Sequence, residues 1–412
     1  MKTTTKTTQQ QPDLKPLYTR SVVNSLGQGM VNPFMSAYAI QLGASPSDMG
    51  WFQSSSNLSN NAMQLLWGRL SDKTQKRIPF IIIGSLIIAL LYPPMLLINN
   101  PTQLIILLAI QALLGSMATP AWTALIGDLV PSLRLGRANA SINLYATIGS
   151  MIATLVSGLI MVNTGGTPQQ IILIPMVTAT VCGLISALLM IYVREGKHEQ
   201  QPDLRNRIAR DMFNVLKTAR QTPAFVKYCT AAATFEFFMS ISWPLFAITQ
   251  VSILHANMLQ LALLNVVQMI TMITFQNWAG KRADTLGRKP LLIFFRLGLI
   301  TVPIAYAFIP DLNILIVISL FWGFAQALGQ ASVTAYLLDI APETHRGSFV
   351  AVYNLILGIV TFFGSLIGGY LSDYTTAIFG LTLGMQIVYI ISTVGRTAGA
   401  LLHLTLKETL RK

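Results

Sequence analysis

The feature that most constrains this chain is a series of long apolar runs, each long enough to cross a lipid bilayer. A transmembrane helix needs about 20 consecutive residues that are mostly apolar. Twelve such runs occur, near 17–41, 47–68, 79–98, 103–127, 138–162, 170–193, 224–252, 258–279, 290–309, 312–338, 345–370 and 376–404. Most of the connections are short and contain helix breakers such as Gly43 and Pro46. The sequence predicts an all-α polytopic membrane protein with twelve transmembrane helices.

Composition supports the same class of protein. Only 10% of the 412 residues are charged and 53% are apolar, whereas about 25% of the residues of a soluble domain are charged. So few charged side chains cannot cover a soluble surface, and we expect lipid to cover most of the molecule. The net charge of +13 raises the question of a nucleic-acid partner, but its distribution indicates membrane topology instead.

The basic residues follow the positive-inside rule, under which cytoplasmic loops are enriched in Lys and Arg. With the N-terminus inside, all Lys and Arg except Arg296 and Arg396 belong to cytoplasmic segments, and the external loops hold none. A wrong number of spans would destroy this alternation. We predict a multi-pass protein of the plasma membrane with both termini in the cytoplasm.

The longest connection divides the chain into two halves. We predict a disordered cytoplasmic tail at 1–16, a six-helix bundle at 17–193, a cytoplasmic linker at 194–223, a second six-helix bundle at 224–406 and a cytoplasmic tail at 407–412. Within the linker, the segment from Leu204 to Arg220 has apolar residues at helical spacing with basic residues around them, which is typical of an amphipathic helix on a membrane surface. A tether between the halves and a regulatory partner site are both open interpretations of this segment.

The second half repeats the first at an offset of 212 or 211 residues. At 212, Gly68-Arg-Leu-Ser-Asp72-Lys-Thr-Gln-Lys76-Arg77 lies on Gly280-Lys-Arg-Ala-Asp284-Thr-Leu-Gly-Arg288-Lys289. At 211, Asp128 lies on Asp339, and Gly136 lies on Gly347. Landmarks in the same order at a nearly constant offset indicate that each half is a six-helix copy of the other.

These two loops resemble the signature of the major facilitator superfamily, Gly-x-Leu-Ala-Asp-Arg-x-Gly-Arg-Arg, which follows helices two and eight. Gln75 departs from it in the first copy, and Arg282 and Thr285 depart from it in the second. The resemblance extends over all twelve spans and implies two pseudo-symmetric bundles. It is specific for the superfamily and weak for any class of substrate.

The resemblance also implies latches between the halves at the cytoplasmic side, because helix N-termini favour an anion. Asp72 would latch helix eleven near Gly347, and Asp284 would latch helix five near Gly136. Asp128 and Asp339 would pair with Arg69, Arg134, Arg137 or Arg346. The residues predicted to form this cytoplasmic gate are Gly68, Asp72, Lys76, Arg77, Asp128, Arg137, Gly280, Asp284, Arg288, Asp339 and Arg346.

Polar side chains within the spans predict the position of a cavity, because polar groups are costly in lipid unless they face protein or water. On helix two and on helix eight the amides recur on one face, and the family resemblance places helices one, four, seven and ten around the centre. Helix four offers Gln111, Gly115 and Thr119. The predicted cavity residues are Asn24, Gln28, Asn57, Asn60, Asn61, Gln64, Glu236, Ser240, Trp243, Asn265, Gln268, Trp322, Gln326 and Gln330.

Glu236 is the most specific candidate for coupling, since it lies near the middle of a span. We predict that it is unpaired, neutral at rest and able to exchange a proton when the cavity meets water; a structural hydrogen bond is the alternative. Arg296 is expected to extend to the inner membrane surface, and Arg396 to have a structural role on an outer helix.

Together these features predict a secondary transporter of a small neutral, cationic or amphipathic solute, working by alternating access and coupled to protons. A transporter-like receptor and a lipid-moving protein are the alternatives. No phosphate-binding loop and no cluster of metal ligands occurs in the sequence, so we predict neither an enzyme nor a cofactor. We expect a monomer surrounded by lipid, with no nucleic-acid partner.

Overall fold

The computed structural model describes residues 15–59, 63–74, 76–130, 132–193 and 217–410, and these residues are helical with no strands. The amphipathic helix predicted in the linker lies mostly outside them. The first half contains α1 (Lys15–Val31), α2 (Met35–Gln41), α3 (Pro46–Leu58), α4 (Gln64–Thr74), α5 (Ile78–Met95), α6 (Pro101–Gly115), α7 (Ala118–Leu129), α8 (Ser132–Asn163) and α9 (Pro168–Leu189). The second half contains α10 (Pro223–Ile248), α11 (Met258–Leu286), α12 (Arg288–Phe308), α13 (Leu312–Ile340), α14 (Arg346–Phe379) and α15 (Leu381–Leu404).

Ten stretches of the described chain are long and apolar enough to cross a membrane. They correspond to ten of the twelve predicted spans, and α6 and α7 together form one of them. The first of the remaining two predicted spans consists of α1 and α2, which are joined by a 3₁₀ turn at Asn32–Phe34. The second contains α3 and α4, and residues 60–62 between them lie outside the described residues. The all-α polytopic fold predicted from the sequence is confirmed.

The helices of each half pack in the same pattern, which reflects the internal repeat. In the first half α1 packs on α8 and α9, and in the second half α10 packs on α14 and α15. Small residues allow the closest approaches. A side chain at Gly29 would collide with the backbone of Ser150, and one at Gly368 would collide with the backbone of Ile241, which is the residue equivalent to Gly29.

The two halves contact each other at one face of the molecule, which we call the outer face because it is the face predicted to be extracellular. There α3 packs on α14 so closely that Gly50 lies against Gly369, and α8 packs on α11 where Gly158 meets Ala262. Glycine permits such backbone contact because it has no Cβ.

The opposite face, which carries both ends of the described chain, is the inner face, and there the halves are apart. The inner segment α4 packs mainly on α7 of its own half, whereas the outer segment α3 of the same span packs on α14. A Cβ placed on Gly136 or Gly347 would meet no atom within 4 Å. The described residues therefore form a structure closed at the outer face and open at the inner face.

This arrangement predicts which loops react from each side of the membrane. With Cys182 and Cys229 replaced by Ala, cysteines at Asn100 and Gly165 are expected to react with an impermeant thiol reagent added outside intact cells. Cysteines at Thr74 and Thr285 are expected to react only after the membrane is opened. Reaction of either inner-face cysteine from outside would contradict the predicted orientation.

Candidate functional site

A cavity of about 390 Å³ lies within the first half, between α1, α3, α5, α6 and α7. Two of the spans around it are interrupted beside it. The first breaks at Asn32, and the fourth breaks between α6 and α7 at Ser116. Discontinuous transmembrane helices expose backbone groups, and transporters place their substrate sites at such breaks.

The described residues of the cavity wall combine amides, hydroxyls and aromatic rings, and none of them carries a charge. The residues that line it are Gln28, Asn32, Met35, Phe52, Ser55, Ser56, Ile88, Tyr92, Leu108, Gln111, Ala112, Gly115, Ser116 and Thr119. Tyr92 donates a hydrogen bond of 3.4 Å to the Asn32 side chain, and Gln111 donates one of 2.9 Å to the carbonyl of Ile88. Pockets with an apolar body and a few oriented polar groups are the usual form of small-molecule sites.

Several residues singled out by the sequence lie at this cavity. Gln28 lines it from α1, and Gln111, Gly115 and Thr119 line it from the fourth span. Sequence reasoning missed Asn32, although an Asn-Pro pair in the middle of an apolar run is a helix-breaking signal that marks the position. Asn24 lies one turn before Gln28 and is half-buried.

Three predicted cavity residues are instead buried in packing contacts, so their assignment to the cavity was wrong for this structure. Asn57 donates to the carbonyl of Thr361 and to the hydroxyl of Ser365 in the other half. Ser240 is fully buried, and its hydroxyl donates to the carbonyl of Phe237 in its own helix.

Trp322 is the third of these residues. It is 3% exposed, donates to the Thr301 hydroxyl and stacks on Tyr306 with ring centroids 5.9 Å apart. In all three cases a buried polar group is satisfied by a protein partner rather than by water, from another helix for Asn57 and Trp322 and from its own helix for Ser240.

The other predicted cavity residues that the structure describes are not among those that line this cavity. Asn265 donates to the carbonyl of Leu261 one turn earlier on α11. Asn60 and Asn61 lie outside the described residues, as does the side chain of Gln64. The remaining members belong to the second half and are half-buried or exposed: Trp243, Gln268, Gln326 and Gln330.

Glu236 is ion-paired, which corrects the prediction of an unpaired carboxyl. Arg296 Nη1 on α12 donates to Glu236 Oε1 on α10 at 2.6 Å. Arg296 is 1% exposed, so the expectation that it extends to the membrane surface was also wrong. Its guanidinium lies over the ring of Phe235, 4.5 Å from the centroid.

A buried pair of opposite charges is tolerated because each charge compensates the other, whereas either charge alone would be strongly unfavourable. Glu236 lies 13 residues after the start of α10, about 20 Å along the helix at 1.5 Å per residue. The Glu236 side chain remains 13% exposed. The second half therefore contains a charge pair at mid-depth, next to the space between the halves.

Two further arginines are buried within the bundles. Arg396 donates to the carbonyls of Leu299 and Met239 and to the hydroxyls of Ser392 and Ser242, so it joins three helices of the second half. This is the structural role expected for it.

Arg20 was counted among the cytoplasmic residues, but it is 4% exposed. Its guanidinium lies over Trp122 at 4.2 Å from the ring centroid and donates to the Ser85 hydroxyl. Each half thus holds a guanidinium against an aromatic ring, which stabilises a cation by a few tenths to about 2 kcal/mol.

At the inner face the carboxylates at the ends of the fourth and tenth spans pair with arginines of the motif loop in their own half. Asp128 lies 3.5 Å from Arg77, and Asp339 lies 3.3 Å from Arg288 rather than beside Arg346 as predicted. Among the other predicted gate residues, Gly68 and Gly280 are half-buried and Lys76 is exposed; the side chains of Asp72 and Arg137 lie outside the described residues.

Asp284 shows that its predicted latch is not formed in this structure. Its side chain is 73% exposed and pairs with Arg288 one turn further along the chain, at 2.9 Å. A Cβ built on Gly136, near the start of α8 and its predicted partner, would meet no atom within 4 Å among the described residues. An open latch agrees with the separation of the halves at this face.

Glu408, which follows α15, binds the start of α12 at the inner face of the second half. Partial burial raises the pKa of the Glu408 carboxyl, but hydrogen bonds from the backbone N–H groups of Leu410, Arg288, Lys289 and Thr409 outweigh it and hold the pKa below its usual value. Two of these donors belong to the first turn of α12, where the unpaired N–H groups favour an anion.

Comparison with known proteins identifies the family. The model of the Major Facilitator Superfamily matches residues 18–240 and 228–405. The chain therefore belongs to the Major Facilitator Superfamily of transporters.

Individual relatives are distant. An uncharacterized MFS-type transporter of Methanocaldococcus jannaschii is 23% identical over 372 residues, covering 89% of this chain and 90% of the relative. Among solved structures, the nucleoside transporter NupG is similar with a TM-score of 0.71 at 16% identity, covering 96% of this chain and 100% of NupG. A D-xylose-proton symporter is similar with a TM-score of 0.71 at 15% identity, covering 96% and 98%. At these identities the solved structures show the fold alone.

The charge pair generates a prediction about stability. Arg296→Gln leaves the Glu236 carboxylate without its partner, and we expect the free energy of unfolding to fall by about 3 kcal/mol. Replacing both residues by Gln is expected to recover part of that loss, because no buried charge then remains. Thermal unfolding of the purified protein in detergent measures both changes.

Arg346→Gln is the matched control, since Arg346 pairs with Glu343 at 3.8 Å on the exposed inner face. Such a surface pair contributes about 0–1 kcal/mol. A loss in Arg296→Gln no greater than the loss in this control would contradict the assignment of a buried, mutually dependent pair.

Proposed function

We propose that this protein is a secondary active transporter that carries a small, uncharged polar organic solute by alternating access, with coupling to protons through Glu236. The observation that carries the proposal is the cavity at the interrupted helices of the first half, in a molecule whose halves contact each other at the outer face alone among the described residues. Two halves that meet at one face can rock to meet at the other, and the cavity then changes the side to which it is accessible.

The cavity wall indicates the class of solute. A strongly anionic solute would need a cation at the site, and the lining residues contain none. Amides and hydroxyls such as Gln111, Asn32 and Ser116 suit a solute with hydroxyl or amide groups, and Phe52 and Tyr92 suit the face of a ring. Sugars and nucleosides have this chemistry, and the solved transporters of similar fold include one of each kind by name.

The Glu236–Arg296 pair provides a physical route to coupling. When the inner face is open, the carboxylate is charged and Arg296 balances it. A proton that neutralises Glu236 would remove the attraction and leave the Arg296 charge unbalanced in a low-dielectric interior, which is unfavourable. Protonation thus favours a rearrangement of α10 against α12, and α10 also contacts α3 of the other half.

The cavity generates the first functional prediction. Gln111→Ala is expected to weaken solute binding by up to about tenfold, the effect of one lost hydrogen bond. Gln169→Ala is the matched control, because Gln169 also donates to a backbone carbonyl of the first half but lies outside the cavity. Thermal stabilisation of purified protein by a panel of sugars, nucleosides, amino acids and organic cations measures binding. Equal weakening in both variants would contradict the site.

The Glu236–Arg296 charge pair generates the second functional prediction. Glu236→Gln keeps the size of the side chain and removes its charge change, so we expect it to abolish accumulation driven by a proton gradient in proteoliposomes while solute exchange continues. Glu343→Gln, on the exposed inner face, is the control. Gradient-driven uptake at the wild-type rate in Glu236→Gln would return Glu236 to a structural role. Binding without any flux would favour a receptor.

A further inference from the structure

An aspartate of the second half binds the start of a helix of the first half at the outer face. Asp373 Oδ2, at the outer end of α14, accepts a hydrogen bond from the backbone N–H of Ser47 at 3.1 Å. Ser47 lies in the first turn of α3, after the N-cap Ser45 and Pro46. The first N–H groups of a helix have no partner within the helix, and together with the helix dipole they favour an anion.

The start of α3 is capped by residues of its own half. The formation of this helix can therefore be distinguished from its contact with Asp373 in the other half. Asp48 accepts hydrogen bonds from the backbone N–H and the hydroxyl of Ser45, and the Ser45 hydroxyl accepts from the N–H of Asp48. This capping box forms α3 without help from the other half. The Ser47 N–H donates instead to Asp373, across the interface.

The sequence around Asp373 repeats the sequence of the inner motif. Gly369-Tyr-Leu-Ser-Asp373 on α14 matches Gly68-Arg-Leu-Ser-Asp72 on α4 at four of its five positions. The second span runs from the outer to the inner face, and α14 runs in the opposite direction. Asp72 therefore lies near the C-terminal end of α4, at the inner face where α14 begins. Asp373 lies near the C-terminal end of α14, at the outer face where α3 begins.

We propose that Asp373 is an outer latch, reciprocal to the inner latch predicted for Asp72, and that the two latches alternate at opposite ends of one helix pair. In this structure the outer latch is closed, while a Cβ built on Gly347, at the inner start of α14, would meet no atom within 4 Å among the described residues. Closing the inner end requires the same two helices to separate at the outer end, so only one aspartate is bound at a time. The inference rests on the proposed alternating access.

Among the described residues, the second pair of helices that joins the halves shows no such latch. There α8 and α11 meet through Gly158 and Ala262. The start of α11 is capped by its own Asn257 and Gln260, and the last residue of α8, Asn163, donates to Leu159 of its own helix. The outer face therefore depends on one charged latch, between α3 and α14.

Distances between spin labels at Leu97 and Phe308 test the latch, because these exposed residues lie at the outer ends of the two halves. In Asp373→Ala we expect the ratio of the long to the short distance to rise about fivefold, as expected for a loss of about 1 kcal/mol at a helix N-terminus. Asp373→Glu retains the charge and is expected to restore the wild-type distribution at least in part. The readout requires no solute.

Asp311→Ala is the matched control. Asp311 also caps a helix at the outer face, accepting from the N–H of Asn313 at 2.8 Å, but within its own half. Wild-type distances in Asp373→Ala, or an equal shift in both variants, overturn the latch. If Asp373→Ala does not yield folded protein, Asp373→Asn is measured by the same criteria. A shift confined to the Asp373 variants supports the latch whether or not the wild type moves a solute, so a failure of the proposed function remains distinguishable.

Discussion

The close contact of α3 with α14 is the interaction on which the state of the molecule depends. Gly50 and Gly369 allow the two backbones to touch, and around them Ser54, Asn57 and Trp51 form hydrogen bonds across the halves. A polar side chain buried without a partner in such a place would be unfavourable, so these bonds fix the register of the contact. With the outer ends held together in this way, the separation of the inner ends follows.

The halves share an architecture but differ in charge. The residues equivalent to Glu236 and Arg296 at an offset of 212 are Asn24 and Gly84, so both members of the ion pair belong to the second half alone. The cavity with the interrupted helices belongs to the first half, and it is uncharged. Under the function proposed above, the first half would recognise the solute and the second half would respond to the proton, with the two joined by the contacts of α3 with α10 and α14.

Sequence reasoning predicted the fold well because the constraints of a bilayer are strong. The length of the spans and the alternation of basic loops follow from the thickness and the two sides of the bilayer. The motif that contains Asp72 and is repeated around Asp284 resembles the signature of the family. Side-chain partners were predicted poorly. Nothing in a linear pattern shows that Arg296, 60 residues from Glu236, points toward it, although an acid and two arginines within the spans of the same half are a signal for pairing. The recurrence of amide side chains on one helix face likewise did not distinguish Gln28, which lines the cavity, from Asn57, which bonds to another helix. A cavity and a neighbouring helix both supply the polar partners that a buried amide needs.

Accessibility of the cavity from the two sides of the membrane tests alternating access most directly. A single cysteine at Ser116, which lines the cavity, is introduced into a chain whose Cys182 and Cys229 are replaced by Ala. Its rate of reaction with an impermeant thiol reagent is then measured from each side in oriented vesicles. The account predicts reaction from both sides, faster from the inner face that is open in this structure. Reaction from the inner side only, with no outer-side reaction at any proton gradient, would contradict it.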